Sequence, residues 1–100
     1  MRSMYVLDES GNPVSEDDFM IWSNWHKDSD NTVARDAVYD VIISTIFLGL
    51  DYSHGHGMPQ LYETMIFGGE NDGIQVRYAT RENALKGHAE AVKIITGSVV

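Results

Sequence analysis

The feature that most constrains the fold is an almost unbroken apolar run at residues 41–50, near the middle of a chain of 100 residues. β-Branched and aromatic residues dominate this run, and such residues favour strands. Successive side chains of a strand point to opposite faces. In this run both sets are apolar, namely Val41, Ile43 and Phe47 on one side and Ile42, Ile46, Leu48 and Leu50 on the other. We therefore expect a central strand that is buried on both faces.

Shorter strand-like segments surround this run. The pattern predicts them at residues 4–7, 32–35, 61–67 and 74–78. The segments 36–40 and 68–73 separate neighbouring strands and have the composition of turns. The chain after residue 32 is therefore expected to form an antiparallel meander of three to four strands.

A first helix is predicted over residues 15–27, before the meander. Phe19, Trp22 and Trp25 recur at steps of three, which is typical of an amphipathic helix. Ser15 would cap its N-terminus, and the acids that follow would face the positive end of the helix dipole. The tryptophans are expected in the core of so small a domain, although an exposed pair would favour a partner or self-association.

A second helix is predicted over residues 81–95, with Thr80 as its N-cap and Gly97 at its C-terminal end. One stripe of this helix carries Ala84, Leu85, His88, Val92 and Ile95. The simplest architecture is a single α+β domain over residues 1–100, in which the N-terminal and C-terminal helices pack on the antiparallel sheet.

Charge and composition narrow the function classes. The chain has 15 acidic and 7 basic residues, hence a formal net charge of −8. Such a field repels nucleic-acid phosphates and anionic lipids, so direct binding to nucleic acid or membrane is not expected. Cysteine is absent, which fits a reducing compartment, and no apolar stretch approaches the roughly 20 residues of a membrane span. We expect a cytoplasmic protein that uses no cofactor.

A glycine-rich loop carries candidate metal ligands. His54 and His56 flank a glycine, and two imidazoles with this spacing can bind one metal ion. Asp51 precedes them, and Glu63 and His88 are the residues that could complete the site. The alternative is a solvated loop that happens to contain two histidines, because this short motif lacks the context of known metal sites.

His88 and Glu63 each allow a second interpretation. His88 could act as a general base oriented by Glu63, or it could lie at the edge of the core and bond to backbone or to a strand carboxylate. Glu63 could instead form an ion pair with Arg77 across the predicted hairpin. The structural interpretations are favoured, so no catalytic residue is assigned.

Three blocks of the sequence are distinctive, at residues 44–52 (STIFLGLDY), 61–69 (LYETMIFGG) and 77–81 (RYATR), the last of which leads to Gly87 and His88. Together with residues 5–14 they resemble a family of small proteins encoded by bacteriophages and prophages, over nearly the whole chain. The resemblance implies a phage accessory protein that acts in the host cytoplasm. It carries over no catalytic or binding residue.

Three functions follow from these observations. The favoured one is a non-enzymatic phage accessory protein that binds a host or phage macromolecule, for example to inhibit host defence. The second is a small metal-dependent enzyme or ligand-binding protein that uses the loop histidines with Glu63 and His88. The third is a structural homo-oligomer joined through a sheet edge or the tryptophan-bearing helix.

Overall fold

The computed structural model describes residues 3–53 and 57–97. Its elements are β1 (Tyr5–Leu7), β2 (Pro13–Ser15), α1 (Phe19–Asp28), β3 (Thr32–Val38), β4 (Val41–Phe47), β5 (Tyr62–Phe67), β6 (Gln75–Tyr78) and α2 (Arg81–Thr96). β1 and β2 form a small hairpin, and β3 to β6 form a four-stranded antiparallel sheet in chain order. The predicted α+β fold with a meander sheet and two helices is confirmed.

α2 packs on one face of the four-stranded sheet, which we call the covered face, and α1 packs against β1 and reaches the same face through Trp25. Ile43, Thr45 and Phe47 of β4 point to it and are fully buried. Ala84 of α2 joins Phe47 in the core cluster, and the Trp25 indole of α1 meets the Phe47 ring edge-on. The hydrophobic core therefore lies between this face and the two helices.

The opposite face of the sheet, which we call the open face, corrects the expectation that β4 is buried on both sides. Ile42, Ser44 and Ile46 of β4 point to this face and are only partly buried. Phe67 of β5 lies on the same face and is 46% exposed. Neither α1 nor α2 packs over it. An apolar run with two apolar sides therefore does not require two covered sides, since apolar atoms make up much of any protein surface.

The start of α1 also differs from its prediction, because Ser15 belongs to β2. Ser15 stands opposite Tyr5 in the small hairpin, and the helix begins at Phe19 with Asp18 as its N-cap. The Asp18 carboxylate accepts hydrogen bonds from the backbone N–H groups of Met20 and Ile21. Pairing with β1 draws the predicted cap into a strand, and the acid next to the helix takes the capping position.

The hairpin between β3 and β4 is tighter than predicted. β3 extends to Val38, so Tyr39 and Asp40 alone turn the chain. Tyr39 has a φ of 55° and is 87% exposed. This left-handed backbone conformation is uncommon for a residue other than glycine. β4 in turn ends at Phe47, short of the predicted end at residue 50.

α2 agrees closely with its prediction. The Thr80 hydroxyl oxygen accepts a hydrogen bond from the Asn83 backbone N–H, and Gly97 closes the helix with a left-handed φ of 67°. Neither of the helices in the described chain is long and apolar enough to cross a lipid bilayer.

Candidate functional site

An apolar cleft of about 370 Å³ lies on the covered face, between α2 and the strands β5 and β6. It is lined by Thr64, Ile66, Asn71, Ile74, Val76, Tyr78, Gly87, Glu90, Ala91 and Ile94. Ile74, Val76 and Ile94 are 46%, 44% and 62% exposed. A concave apolar surface with a few polar groups is the usual form of a ligand or partner site.

The cleft runs along one flank of α2, where Gly87, Ala91 and Ile94 face β6. His88, midway along the helix, bonds to Thr45 of β4 and Asp36 of β3. Gly87 faces the ring of Tyr78, and a Cβ at this position would overlap that ring. Glycine within a helix often marks such a close approach of the backbone to a neighbour. The helix covers β3 and β4 and leaves β6 partly bare.

β6 is an edge strand, with no further strand beside it in the described part of the chain. The Ile66 N–H donates to the Ile74 carbonyl, so this carbonyl points towards β5, while the Ile74 N–H donates to the Asn71 carbonyl in the turn. In an antiparallel ladder, successive residues turn these groups alternately towards the partner and away from it. Val76 therefore faces β5 as well, while the N–H and C=O groups of Gln75 and Arg77 point outward beside the cleft.

A chain of polar groups lies beneath α2. Asp36 Oδ2 is 2.7 Å from His88 Nε2, His88 Nδ1 is 2.7 Å from Thr45 Oγ1, and Thr45 Oγ1 is 2.5 Å from Thr64 Oγ1. Thr45, Thr64 and His88 are 0%, 3% and 5% exposed, whereas 54% of the Asp36 side chain is exposed. We call these four residues the polar network. It connects the cleft, which Thr64 lines, with solvent at β3.

This geometry decides between the interpretations of His88. Its carboxylate partner is Asp36, whereas Glu63 stands on the open face opposite Ile46. Arg77 Nε donates to Glu63 Oε2 at 3.1 Å. His88 and Glu63 are therefore on opposite sides of the sheet and do not share a site. The interpretation of His88 as a core-edge histidine bonded to a strand carboxylate is confirmed, as is the cross-strand ion pair of Glu63.

Asp36, His88 and Thr45 have the order of an acid, base and nucleophile triad. The Thr45 side chain is fully buried in the middle of the sheet, so its hydroxyl has no route to a substrate. This arrangement can orient an imidazole and relay a proton, but it cannot attack a bound molecule. The geometry therefore supports binding over covalent catalysis.

Asp51 organises the loop that follows β4. Its Oδ1 accepts hydrogen bonds from the backbone N–H groups of Ser53 and Gln60, which lie at the two ends of the loop. His54 and His56 lie outside the described residues. Within residues 3–53 and 57–97, no three His, Cys, Asp or Glu side chains are arranged to hold a metal ion. Glu63 and His88 cannot jointly complete a metal site, because the sheet separates them.

The two tryptophans of α1 border the core and are half-buried. Trp25 packs on Phe47, and the Trp22 Nε1–H donates to the Gly49 carbonyl at 3.1 Å. They attach the helix to its own chain. The large apolar side chains that α1 exposes are Phe19, Met20 and Ile21.

His26 sits among these aromatic rings. Its ring lies parallel to Phe47 at 6.3 Å and 4.8 Å from Trp22, measured between ring centres. Nδ1 is 2.8 Å from the Asn31 side-chain nitrogen, and the buried Nε2 has no hydrogen-bond partner among the described residues. Burial lowers the pKa of His26, an effect that the backbone of Leu48 offsets only in part. The folded protein therefore favours the neutral imidazole.

A scan against protein-family models, a search of curated proteins and a search of solved structures find no match to this chain. The resemblance to phage proteins therefore depends on the three sequence blocks and residues 5–14 and stays a prediction. Function has to be inferred from the cleft, the β6 edge and the polar network.

Some residues of the site are not identified from sequence. Asp36 falls in a predicted turn, and no periodicity indicates that Ala91 and Ile94 line a cleft. One signal was present, since Thr45 and Thr64 interrupt apolar strands and His88 interrupts an apolar helix stripe. Buried polar groups need partners, so these three side chains could have been predicted to meet.

Proposed function

We propose that this protein is a binding module that captures an extended segment of a partner protein at β6. The segment would pair with the outward backbone groups of β6 as a fifth strand and place alternate side chains in the cleft. The observation that carries this proposal is the joint occurrence of an unpaired strand edge and an apolar cleft on one side of the molecule.

Strand dimensions suit this mode of binding. An added strand would lie about 4.8 Å from β6. Its side chains on the covered face would stand beside Ile74 and Val76 and approach the flank of α2 at Ala91 and Ile94, all of which line the cleft. Alternate side chains of a strand are about 7 Å apart, the spacing at which Ile74 and Val76 themselves recur.

The walls of the cleft indicate the chemistry of the segment. Apolar side chains predominate, and Asn71 and Glu90 are polar residues at its border. Burial of apolar surface contributes roughly 25 cal/mol per Å², while the backbone hydrogen bonds fix the direction of the strand. The preferred ligand is therefore an extended segment with apolar residues at alternate positions.

The wider hypotheses attach to this site in different ways. Under the resemblance to phage proteins, the segment belongs to a host or phage protein, and its capture could inhibit host defence. Under the homo-oligomer alternative, the β6 edge of a second copy occupies the place of the segment. The described residues do not support the metal-dependent alternative, because Glu63 and His88 lie on opposite faces of the sheet.

Selection of random displayed peptides on the folded protein tests the proposal, with two pairs of matched variants. Gln75→Pro removes an outward N–H and blocks strand addition, whereas Gln75→Ala keeps that N–H. Ala91→Trp fills the cleft, whereas Ala89→Trp places the same side chain on an exposed part of α2. Circular dichroism establishes that each variant is folded.

The selected peptides are expected to alternate apolar and polar residues. They should bind the parent protein, Gln75→Ala and Ala89→Trp at least about tenfold more tightly than Gln75→Pro and Ala91→Trp, a difference of about 1.4 kcal/mol. Failure to select any peptide, or equal binding to all variants, would refute the proposal. A dimer seen by light scattering and abolished by Gln75→Pro would assign the edge to a second copy instead.

A further inference from the structure

The proposed binding cleft reaches Thr64, and Thr64 is also the inner end of the polar network. We infer that Thr64 presents a hydrogen-bond acceptor to the cleft when His88 is neutral and a hydrogen-bond donor when His88 is protonated. The inference deepens the proposed function and rests on it for the location of the ligand. It adds a polar requirement to an otherwise apolar site and makes that requirement depend on the protonation state of His88.

With His88 neutral, the direction of each hydrogen bond in the network is determined. A carboxylate only accepts, so the imidazole proton must be on Nε2, which is 2.7 Å from Asp36 Oδ2. Nδ1 then accepts from the Thr45 hydroxyl. A hydroxyl has a single proton, so Thr45 accepts in turn from Thr64. The proton of Thr64 is thereby used, and only its lone pairs are left for a ligand.

Protonation of His88 reverses this order. An imidazolium donates from both nitrogens, so Nδ1 donates to Thr45 Oγ1 across the same 2.7 Å. Thr45 then turns its proton towards Thr64, and the Thr64 proton turns towards the cleft. No heavy atom has to move, because only hydroxyl rotations and one added proton are involved.

The surroundings of His88 leave Asp36 as its charged partner among the described residues. The residues three and four positions away on α2 are Ala84, Leu85, Ala91 and Val92, none of which is charged. β4 offers apolar side chains and Thr45 on the covered face. The titratable groups of β5 and β6 on this face are Tyr62 and Tyr78, and tyrosine phenols are uncharged between about pH 5 and 8.

This polarity defines two ligand classes for one cleft. The state with neutral His88 suits an apolar group that carries an N–H or O–H donor, such as the indole of a tryptophan side chain. The state with protonated His88 suits an apolar group of the same shape that carries an acceptor. For an extended peptide, Thr64 is thus a specificity-determining residue that distinguishes between anchor side chains.

Indole and benzofuran are suitable probes, because they share a shape and differ in an N–H donor against an ether oxygen. Their dissociation constants can be measured at pH 8 and pH 5 from chemical-shift changes of the Ile74 and Ile94 methyl groups. We expect indole to bind about three- to tenfold more tightly than benzofuran at pH 8, the effect of one net hydrogen bond. Where the ring ¹⁵N resonances show that His88 is protonated, this preference should disappear or reverse.

Two variants and one ligand-free measurement complete the test. Thr64→Val should abolish the preference at both pH values, whereas Thr45→Val should leave a preference that no longer changes with pH. The ring ¹⁵N resonances of His88 should show the Nε2–H tautomer at pH 8 in the protein without probe. An Nδ1–H tautomer at that pH overturns the inference whether or not a probe binds.

The outcomes separate the inference from the proposed function. If both probes bind in the cleft with the same ratio of dissociation constants whether the ring ¹⁵N resonances show a neutral or a protonated His88, the inference is overturned and the binding site stands. If neither probe shifts the methyl resonances of the cleft, the cleft accepts no aromatic anchor and the inference is overturned, whereas the peptide selection still decides the proposed function.

Discussion

The covered face of the sheet has two halves, β3 with β4 and β5 with β6, and α2 buries them to different degrees. Over β3 and β4 the helix is closed onto the sheet, with Ile43 and Thr45 fully buried and His88 bonded on both sides of its ring. In the other half Tyr62 and Ile66 of β5 are also buried, but the same helix leaves Ile74 and Val76 at β6 46% and 44% exposed. Burial of apolar area alone would draw the helix towards β6, so the polar bonds at β3 and β4 must help to set its position.

Truncation of one α2 side chain in each half should give the largest contrast. His88→Ala opens a cavity and leaves the Thr45 hydroxyl without its acceptor, so we expect a loss of about 2–4 kcal/mol in the free energy of unfolding. Ile94→Ala removes a side chain that is 62% exposed and should cost less than about 1 kcal/mol. Urea denaturation of both variants measures the difference. Equal losses would mean that the two halves contribute alike.

Thr45 and Thr64 lie at the boundary between the two halves. Their replacement should therefore lower the free energy of unfolding by different amounts. Thr45→Val leaves both His88 Nδ1 and the Thr64 hydroxyl without a partner and should cost about 1–3 kcal/mol. Thr64→Val removes one end of the network and should cost about 1 kcal/mol. The double variant should lose less than the sum, because it removes both hydroxyls of one bond. Strict additivity in urea denaturation would contradict a coupled network.

Gly87→Ala tests the contact that separates the cleft from the closed half. The added Cβ would overlap the Tyr78 ring, and overpacking of this kind costs about 1–3 kcal/mol. Alanine recovers about 1 kcal/mol of helix propensity, so the net loss should be about 0–2 kcal/mol. Thermal unfolding of Gly87→Ala alone and combined with Tyr78→Leu measures it. If the smaller Leu does not reduce the loss, the overlap is not its cause.

The smallest expected effect is a pH dependence of the free energy of unfolding. It arises at His26 of α1, which lies outside both halves of the contact between α2 and the sheet. Burial lowers the pKa of His26 below its ordinary value of 6.5. As pH falls below that value, the unfolded chain binds a proton at His26 that the folded chain does not, so stability decreases until the folded pKa is reached. His26→Phe should show a smaller decrease in the free energy of unfolding between pH 7 and pH 5. An unchanged decrease would exclude His26 as its source.

The sequence predicts the order and type of the main elements because their patterns are local. Thr80 and Gly97 bracket α2, and β4 follows from its β-branched run. The N-terminal boundary of α1 is missed because Ser15 pairs with Tyr5, a contact that depends on the hairpin partner. Local preference identifies an element, but tertiary pairing decides where it ends.

The candidate site is less predictable, since it depends on where α2 lies across the sheet. No periodicity distinguishes a helix that covers the whole sheet from one that covers β3 and β4. The partner of His88 is Asp36, 52 positions earlier in the chain, and only the longer β3 brings that carboxylate under the helix. The same helix position creates the cleft. Neither the cleft nor the polar network can therefore be predicted from sequence patterns.

The agreement between strand order and chain order has a consequence for biosynthesis. Each strand of the meander finds its partner next to it in the chain, so the sheet can assemble quickly, before α2 leaves the ribosome. Side chains that α2 covers, such as Ile43, would then be exposed to solvent until the helix docks. A nascent chain stalled before residue 81 should therefore engage chaperones or aggregate, and docking of α2 is the event that ends this exposure.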